Sequence, residues 1–542
     1  MKKQFLAIFM ILAILMTVGC AAPAGKTPSG SQDSSSSGGT APSVEGGASQ
    51  AEWGNVPPSS VGDGSFQRGE YYPRSGESYL GIDENPVKQV ERDPLSTFSL
   101  KVDTAAYTNI VRYLQSGNLP PADAVRVEEM INYFNYEAEM RFDGHPFSIY
   151  TELGPSPFDP GKYMAFIRVK AREIEKRNLP SSNLTFLIDT SGSMDSYDKL
   201  PLLKEAFSLL VDTLDESDVV SIVTYAGSAG VVLDSVSGAD KQTILRAIHS
   251  LQPGGSTAGA DGILTAYALA EKNFRPGGNN RVILATDGDF NVGTSDTDAL
   301  SRLISEKRGS DIYLSVLGFG TGNIRDDIME TLAKDGNGNY AYISSVATAK
   351  KVLVDELASN LFTIADDVKA QVEFNPKAVQ DYRLIGYENR QLEDRDFEDD
   401  TKDAGEIGVG TDVVFMYELT LRGGGQQPGL KYSANHETTE AIAYADELFE
   451  VRIRYKQPGQ PNSQLMTRPV VYGDIARTSS ADYDFACSVA LFGALLRGSP
   501  YAGRMSIAEI SAMASESLGR DEGGYRVAHL DVLREYRRVT NR

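Results

Sequence analysis

Cysteine and histidine are rare in this chain of 542 residues, and their scarcity excludes several common kinds of site. The two cysteines, Cys20 and Cys487, cannot build a disulfide framework or a cysteine-ligated zinc site. The four histidines, at positions 145, 249, 436 and 529, are scattered, and none belongs to an H-E-x-x-H zinc motif. We expect surface or structural roles for the histidines and an unreactive, buried thiol at Cys487.

Positive charge is also in short supply. Lysine and arginine number 52 against 74 aspartates and glutamates, so the formal net charge is 52 − 74 = −22. A surface with this charge repels nucleic acid and anionic lipid headgroups, and we expect no nucleic-acid partner. The hydrophobic share of 41% and the charged share of 23% are those of a soluble protein with room for two to four domains.

No apolar run is long enough to be a clear membrane span. The run Phe5–Val18 has fourteen residues, follows Lys2 and Lys3, and ends at Gly19-Cys20, which predicts a signal peptide over residues 1–20. Its end, T-V-G-C, resembles a bacterial lipoprotein box, although Thr17 stands where leucine is usual. The resemblance implies that Cys20 is diacylated and anchors the exported chain to a membrane of the cell envelope. An ordinary signal peptide with an incidental cysteine is the alternative.

Residues 21–78 are rich in Gly, Ser, Pro and Ala, and include S-S-S-S-G-G. Such a segment buries too little apolar surface to offset the entropy of ordering, so it is predicted to be a flexible tether.

Strands and helices alternate between residues 183 and 366. The predicted strands are Asn183–Asp189, Val219–Tyr225, Gly230–Leu233, Arg281–Thr286, Asp311–Gly318 and Asn339–Ile343. The predicted helices are Lys199–Leu214, Lys241–Leu251, Ala258–Asn273, Thr297–Arg308, Arg325–Lys334 and Val346–Asp366. This alternation predicts the α/β class, with a doubly wound and mostly parallel sheet. The short strand Gly230–Leu233 is predicted to be its antiparallel edge.

The flanks of this unit are rich in antiparallel-type strands. Before it, residues 79–182 contain two predicted helices and the strands Phe147–Leu153 and Tyr163–Ala171. After it, residues 367–480 contain five more strands, and residues 481–542 contain three helices. Because strands lie on both sides of the α/β unit, we predict that it is inserted into one β-sandwich built from both flanks.

Oxygen-bearing side chains follow two predicted strands of the sheet. Asp189, Ser191 and Ser193 come directly after the apolar run Leu184–Ile188, and Asp287 follows the strand that ends at Thr286. A third segment, G-G-S-T-A-G, places Thr257 before a helix. The carboxyl ends of parallel strands meet at one crevice, and carboxylates with hydroxyls are the ligands of a hard cation such as Mg²⁺.

The three segments together resemble the metal-ion-dependent adhesion site of the von Willebrand factor type A domain. The resemblance implies that Asp189, Ser191, Ser193, Thr257 and Asp287 hold a divalent cation directly or through water. Mg²⁺ is the first choice, with Mn²⁺ or Ca²⁺ as alternatives. It also implies that the ion grips an acidic residue of a protein partner.

Blocks outside the metal motif extend the resemblance to one bacterial group. They include D-P-L-S-T-F-S, V-D-T-A-A-Y, R-L-I-G-Y-E-N-R and D-D-T-K-D-A-G-E-I-G. They resemble bacterial von Willebrand factor type A lipoproteins with N-terminal and C-terminal accessory domains, over about residue 79 to the C-terminus.

Two further segments are weaker candidates for a site. Gly318–Gly322 has three glycines after a strand but not the spacing of a dinucleotide loop, so we expect a strand end beside the crevice. The run Glu393–Glu406 has eight carboxylates but not the EF-hand order, which favours a solvated loop over a Ca²⁺ site.

The sequence therefore predicts an envelope-anchored binding module, such as a receptor, adhesin or assembly scaffold, that is not an enzyme. A metal-dependent hydrolase is the first alternative, although Asp289 is the only candidate base near the metal loops. A metal-less fold used for packing is the second. Without an ion, the carboxylates of Asp189 and Asp287 are expected to repel each other.

Overall fold

The computed structural model describes residues 77–101, 103–255, 259–288, 297–422 and 446–541. The predicted signal peptide, the lipidation site Cys20 and nearly all of the tether lie outside these ranges. The predicted tether boundary at residue 78 is slightly late, because Glu77 already pairs with Arg112 and the Ser78 amide donates to the carbonyl of Ile324. Within the described ranges, no helix is both long enough and apolar enough to cross a membrane.

The strands and helices follow the chain in the order expected from the sequence. The strands are β1 Lys88–Gln89, β2 Leu95–Ser99, β3 Phe147–Pro155, β4 Tyr163–Ala171, β5 Ser182–Asp189, β6 Val219–Ala226, β7 Ser228–Ser237, β8 Asn279–Thr286, β9 Tyr313–Phe319, β10 Asn337–Ile343, β11 Thr363–Phe374, β12 Val379–Ile385, β13 Ile407–Gly408, β14 Asp412–Leu421, β15 Glu447–Lys456 and β16 Ser463–Val471. The α-helices are α1 Ala105–Gln115, α2 Val127–Asn132, α3 Leu200–Thr213, α4 Lys241–Ser250, α5 Gly259–Lys272, α6 Thr297–Arg308, α7 Asp326–Asp335, α8 Val346–Lys350, α9 Leu357–Leu361, α10 Ala481–Arg497, α11 Ile507–Glu516 and α12 Tyr525–Thr540.

The central unit is a six-stranded sheet in the order β10-β9-β8-β5-β6-β7. All neighbours pair in parallel except β6 with β7, which confirms the predicted antiparallel edge, although β7 is longer than predicted. Every residue of β5 is buried, because helices cover both faces of the sheet. A strand buried on both faces explains why Leu184–Ile188 is a continuous apolar run.

The remaining strands form two facing antiparallel sheets. One has the order β1-β12-β14-β4-β3; in the other, β11 pairs with β2, β13 and β15, and β15 pairs with β16. Their inner faces share one core that includes Phe98, Phe374 and Phe415. Because β2, β3 and β4 precede the α/β unit and β11 to β16 follow it, the predicted insertion into one sandwich is confirmed.

One predicted boundary is wrong. The last helix of the α/β unit was predicted to continue to Asp366, but it is broken by a π-helical turn at Lys351–Asp355 and ends at Leu361. The sandwich strand β11 begins at Thr363, where it pairs with Gly408. β-Branched Thr363 and Ile364 suit this strand better than a helix end, because their branched side chains fit a pleated surface.

The C-terminal helices share a core with the N-terminal flank, so the predicted segment 481–542 packs against the region 79–182 rather than standing apart. This core covers the outer face of the β12-β14-β4-β3 layer and contains Tyr107, Phe134, Phe485 and Cys487. His529 is fully buried there, with Nδ1 2.9 Å from the Tyr107 hydroxyl, and burial lowers its pKa to about 3. Both Cys487 and His529 therefore have structural positions, as expected.

A cavity of about 710 Å³ lies where the α/β unit meets the sandwich and the C-terminal helices. Glu406 lines it, and both oxygens of this carboxylate are buried without a hydrogen-bond partner among the described residues. Burial raises the pKa of Glu406 to about 7. The last residue of the predicted solvated loop is thus half-buried, and both of its carboxylate oxygens are buried.

Candidate metal site at the edge of the parallel sheet

Asp189 is the last residue of the central strand β5, and its side chain is fully buried. Its Oδ1 accepts a hydrogen bond of 2.8 Å from the amide of Ser191. Its Oδ2 lies 3.2 Å from the hydroxyl of Tyr225 and 3.3 Å from that of Thr286, both of which donate to it. These three donors to the carboxylate are all electrically neutral.

Burial raises the pKa of Asp189 to about 6, and the neighbouring charge of Asp287 acts in the same direction. The hydrogen bonds from Ser191 and Tyr225 act in the opposite direction, because they stabilise the charged form. A bound cation would remove this penalty, because it would stabilise the charged form.

The two serines stand side by side on the turn that follows β5. Their hydroxyl oxygens are 2.9 Å apart, with Ser191 buried and Ser193 exposed to solvent. Met194, in the same turn, is fully buried in the core on one face of the parallel sheet and anchors the turn there. The site is therefore closed at Asp189 and open at Ser193.

The Gly-rich segment reaches this turn through its backbone. The amide of Gly254 donates to the carbonyl of Thr190 at 2.8 Å, and the amide of Gly192 donates to that of Gly255 at 3.2 Å. Thr257 itself lies outside the described residues, as does Asp289.

Asp287 follows β8, the strand next to β5, and is fully buried. The ammonium of Lys199 lies 2.8 Å from its Oδ2 and 3.3 Å from Oδ1 of Asn323. The expected repulsion between the two carboxylates is present, since the charge of Asp287 raises the pKa of Asp189. The ammonium of Lys199, which was not predicted, partly neutralises it.

The loop after β9 completes the wall beside Asp287. The strand ends at Phe319, as expected from the misplaced glycines, and Gly320 has a left-handed φ of +77°. The backbone of Asn323–Arg325 passes so close to Gly288 that a Cβ there would contact it at 2.7–3.1 Å. The loops after β5, β8 and β9 thus meet at one point of the sheet edge.

These donors fit a small, hard divalent cation. Two oxygens in neighbouring positions of an octahedron lie about 3.0 Å apart when each is ~2.1 Å from Mg²⁺. The Ser191 and Ser193 hydroxyls already have nearly this spacing, at 2.9 Å. In the described part of the chain no group of three or more His, Cys, Asp or Glu side chains is placed to hold a metal, so the fit rests on two carboxylates and the hydroxyls.

The structure brings together four of the five predicted ligands: Asp189, Ser191, Ser193 and Asp287. Four further residues of the site were not predicted from the sequence: Lys199, Tyr225, Thr286 and Asn323. Thr286 could have been predicted, because it precedes Asp287 at the end of an apolar strand. The other three carry no local signal.

The acidic run Glu393–Glu406 is only partly the solvated loop that we expected. Asp394 accepts a hydrogen bond of 2.8 Å from Thr97, and the buried ammonium of Lys369 donates to the carbonyl of Asp396 at 2.9 Å. Asp403 pairs with Arg308 of α6 at 2.6 Å. These contacts join the run to the sandwich and to the α/β unit.

Three family models match separate parts of the chain. The model described as von Willebrand factor type A domain matches residues 183–356, and the one described as von Willebrand factor matches residues 73–165. The model described as Uncharacterized protein YfbK, C-terminal, matches residues 359–539. The first match coincides with the inserted α/β unit, which confirms its fold.

Similar proteins come from bacteria and from animals. The chain is 42% identical over 465 residues to a protein of Escherichia coli K12 described as Uncharacterized protein YfbK, covering 84% of this chain and 80% of the relative. Human inter-alpha-trypsin inhibitor heavy chain H3 is 24% identical over 261 residues, 44% of this chain and 28% of the relative.

Among solved structures, von Willebrand factor type A from Catenulispora acidiphila has a TM-score of 0.40 at 15% identity, over 71% of this chain and 89% of that one. The match to YfbK extends over most of both sequences. The chain therefore belongs to the family of Escherichia coli YfbK, bacterial proteins in which a von Willebrand factor type A domain is followed by a C-terminal domain.

Proposed function

We propose that this protein is a binding protein whose α/β domain holds a divalent cation, Mg²⁺ in the first place, and uses it to grip a protein partner. The observation that carries the proposal is the convergence of two buried carboxylates with a pair of hydroxyls 2.9 Å apart at the carboxyl edge of the sheet. Thr257 is the fifth proposed ligand, by its resemblance to the family motif.

Each residue has a distinct part in this proposal. Asp189 supplies formal charge from a buried position with three hydrogen bonds, while Ser191 and Ser193 supply neutral oxygens. The exposed Ser193 marks the side from which a partner approaches. A bound Mg²⁺ would offer an open coordination position to an acidic side chain of the partner. In this proposal the protein binds and does not catalyse.

Tyr197 supports a contact surface beside the ion. It lies four residues after Ser193 and is 86% exposed, the most exposed of the large hydrophobic side chains among the described residues. Tyrosine is enriched among the residues that dominate binding energy at protein interfaces. We propose that it packs against the partner next to the coordinated carboxylate.

We also propose that Cys20 carries a lipid anchor that keeps the folded part in the cell envelope. The support is the sequence alone: a charged start, a short apolar run and G-C at its end. Replacing Cys20→Ser should release the protein from membranes or leave the signal peptide uncleaved. A Cys20→Ser protein that stays on the membrane after losing its signal peptide would refute the anchor.

Partner capture tests the binding role. Purified wild type, Asp189→Ala and Asp234→Ala are immobilised and exposed to envelope extract in Mg²⁺ or in EDTA. Asp234 is the matched control, because it is a partly exposed carboxylate of β7 paired with Lys272 on the surface. A partner retained by wild type and Asp234→Ala in Mg²⁺, and lost in EDTA or with Asp189→Ala, is the expected result. Equal capture of the partner in Mg²⁺ and in EDTA, and by wild type and Asp189→Ala, would contradict the binding role.

A further inference from the structure

The ammonium of Lys199 stands inside the candidate metal site. It lies 2.8 Å from Oδ2 of Asp287 and 3.3 Å from Oδ1 of Asn323, and the residue is only 7% exposed. A lysine this deeply buried needs a reason, because surface positions normally let the ammonium reach water. Here its charge is aimed at one of the two carboxylates proposed to bind the cation.

The path of this side chain is built into the fold. The Lys199 amide donates to Ser196 at 3.1 Å and its carbonyl accepts from Leu203 at 2.8 Å, so the backbone is fixed at the start of α3. Its methylene stem then crosses Gly320, where a Cβ would clash with Cγ and Cε of the lysine. Gly320, with φ +77°, leaves the groove that the stem fills.

The charges of the site explain what the ammonium does. Asp189 and Asp287 are both fully buried, and Asp189 has hydrogen bonds from neutral donors. With Lys199 present, the three groups sum to one negative charge; without it, they would sum to two. A divalent cation is attracted more strongly to the second arrangement, and an ammonium beside Asp287 repels it directly.

We propose that Lys199 is an internal counter-cation that stabilises the metal-free site and lowers its affinity for divalent ions. This inference rests on the proposed metal-binding function. It predicts two effects of opposite sign from one side chain. Removing the ammonium breaks an ion pair between two buried groups, which destabilises the metal-free protein. The same change removes a positive charge from the site, which strengthens metal binding.

The test compares Lys199→Met with Lys204→Met in the otherwise intact protein. Methionine keeps most of the apolar stem over Gly320 but removes the charge. Lys204 lies on α3, which begins directly after Lys199, and its ammonium donates to the carbonyls of His249 and Leu251, outside the site. Calorimetry with Mg²⁺ and with Mn²⁺ gives the dissociation constants, and thermal unfolding in EDTA gives the metal-free stability.

For Lys199→Met we expect a dissociation constant at least about tenfold lower than that of wild type. We expect its unfolding midpoint in EDTA to fall by at least about 2 °C. Lys204→Met should keep the wild-type dissociation constant. If Lys199→Met does not fold in EDTA, Lys199→Gln, which is also neutral but keeps a donor for Asp287, should show the same tightening.

The outcomes separate this inference from the proposed function. If wild type binds Mg²⁺ and the Lys199 variants bind it equally or more weakly, the counter-cation role is wrong and the metal site stands. If the ion binds to the Lys199 variants alone, the inference holds in its strongest form. If neither wild type nor the variants bind any ion, the proposed metal site itself fails.

Discussion

Two aspartates at the same sheet edge are stabilised by different means. Asp189 is held by an amide and two hydroxyls, whereas Asp287 is paired with the ammonium of Lys199. Neutral donors leave the negative charge of a carboxylate uncompensated, so it can attract a cation, whereas a paired ammonium already compensates that charge. We therefore expect Asp189 to contribute most of the attraction for a divalent ion.

The exposed ring of Tyr197 separates partner binding from ion binding. We expect Tyr197→Ala to weaken capture of the partner at least about tenfold, since exposed aromatic anchors often contribute more than 1 kcal/mol to an interface. The same variant should leave the Mg²⁺ dissociation constant unchanged, because the ring is 86% exposed and outside the ligand set. Parallel capture and calorimetry check both halves. Unchanged capture would remove Tyr197 from the binding surface.

Glu406 makes stability depend on pH. Burial raises its pKa from 4.5 to about 7, so between these values the folded protein keeps a proton that the unfolded chain has lost. The stability contributed by this group is therefore fully present at low pH and is lost as pH rises from about 4.5 to 7. Glu406→Gln has no such titration and should be more stable than wild type at pH 8, by roughly 2–3 kcal/mol.

Urea unfolding of Glu406→Gln and wild type at pH 5 and pH 8 measures this effect. The advantage of the variant should shrink towards pH 5, where Glu406 is protonated in the folded protein. The same free-energy difference at both values would show that the carboxylate is satisfied by contacts that the described residues do not include.

At the scale of elements, hydrophobic periodicity was enough to predict most of the sheet and helices. Buried strands such as β5 and amphipathic helices such as α6 carry strong local signals, and α6 has the predicted bounds, Thr297–Arg308. The two-residue strands β1 and β13 were missed, because each is defined only by its partner. The break near residue 361 was missed because an apolar periodic run continues across it.

The same limit explains which site residues the sequence could reveal. Asp189 and Asp287 were predictable because each ends an apolar strand, and parallel strands align their ends. Lys199 contacts Asp287 across 88 residues of sequence and Asn323 across 124. Contacts of that length depend on how three loops pack, which no local pattern records.

The C-terminal helix α10 depends on one buried acid. Asp482 accepts hydrogen bonds of 2.6 and 2.8 Å from the amides of Glu137 and Ala138, and its other oxygen pairs with Arg526 of α12 at 2.6 Å. Asp482→Ala would remove the carboxylate that pairs with the buried Arg526 guanidinium among the described residues. We expect a loss of about 3–5 kcal/mol in the free energy of unfolding.

Asp484, two residues along the same helix, is the control for this prediction. It is half-buried and accepts from the hydroxyl of Ser479 at 2.9 Å. Asp484→Ala should cost less than about 1 kcal/mol. Urea unfolding of both variants decides, and similar losses would show that Asp482 is not the contact that fastens α10 to the N-terminal flank.

At the scale of the whole molecule, the chain leaves the sandwich and returns to it at nearly the same place. Pro180 and Ser182, where the α/β unit begins, line the same cavity of about 260 Å³ as Leu361 and Phe362, where it ends. An insertion whose ends meet can close its own core without straining its host. The strands on both flanks predicted this arrangement, whereas the shared core of α1, α2 and the C-terminal helices could not be predicted.

We expect residues 180–362 to fold when produced alone. The excised unit keeps all six strands and the helices on both faces, but it loses α1, whose Thr108 hydroxyl donates to the Tyr342 carbonyl of β10 at 2.8 Å. It should therefore unfold cooperatively at a lower temperature than the full chain. Circular dichroism during heating measures this, and an excised unit without a cooperative transition would contradict its independence.

The central claim is that the sheet edge binds a divalent ion through Asp189, and calorimetric titration with Mg²⁺ and Mn²⁺ tests it most directly. Wild type and Asp234→Ala should release or absorb heat with one ion per chain and gain thermal stability as the free ion exceeds its dissociation constant. Asp189→Ala should remain folded and show neither effect. Ser191→Ala should weaken binding less, since water can replace a hydroxyl ligand. Binding by Asp189→Ala equal to that of wild type, or no binding by wild type with either ion, would contradict the account.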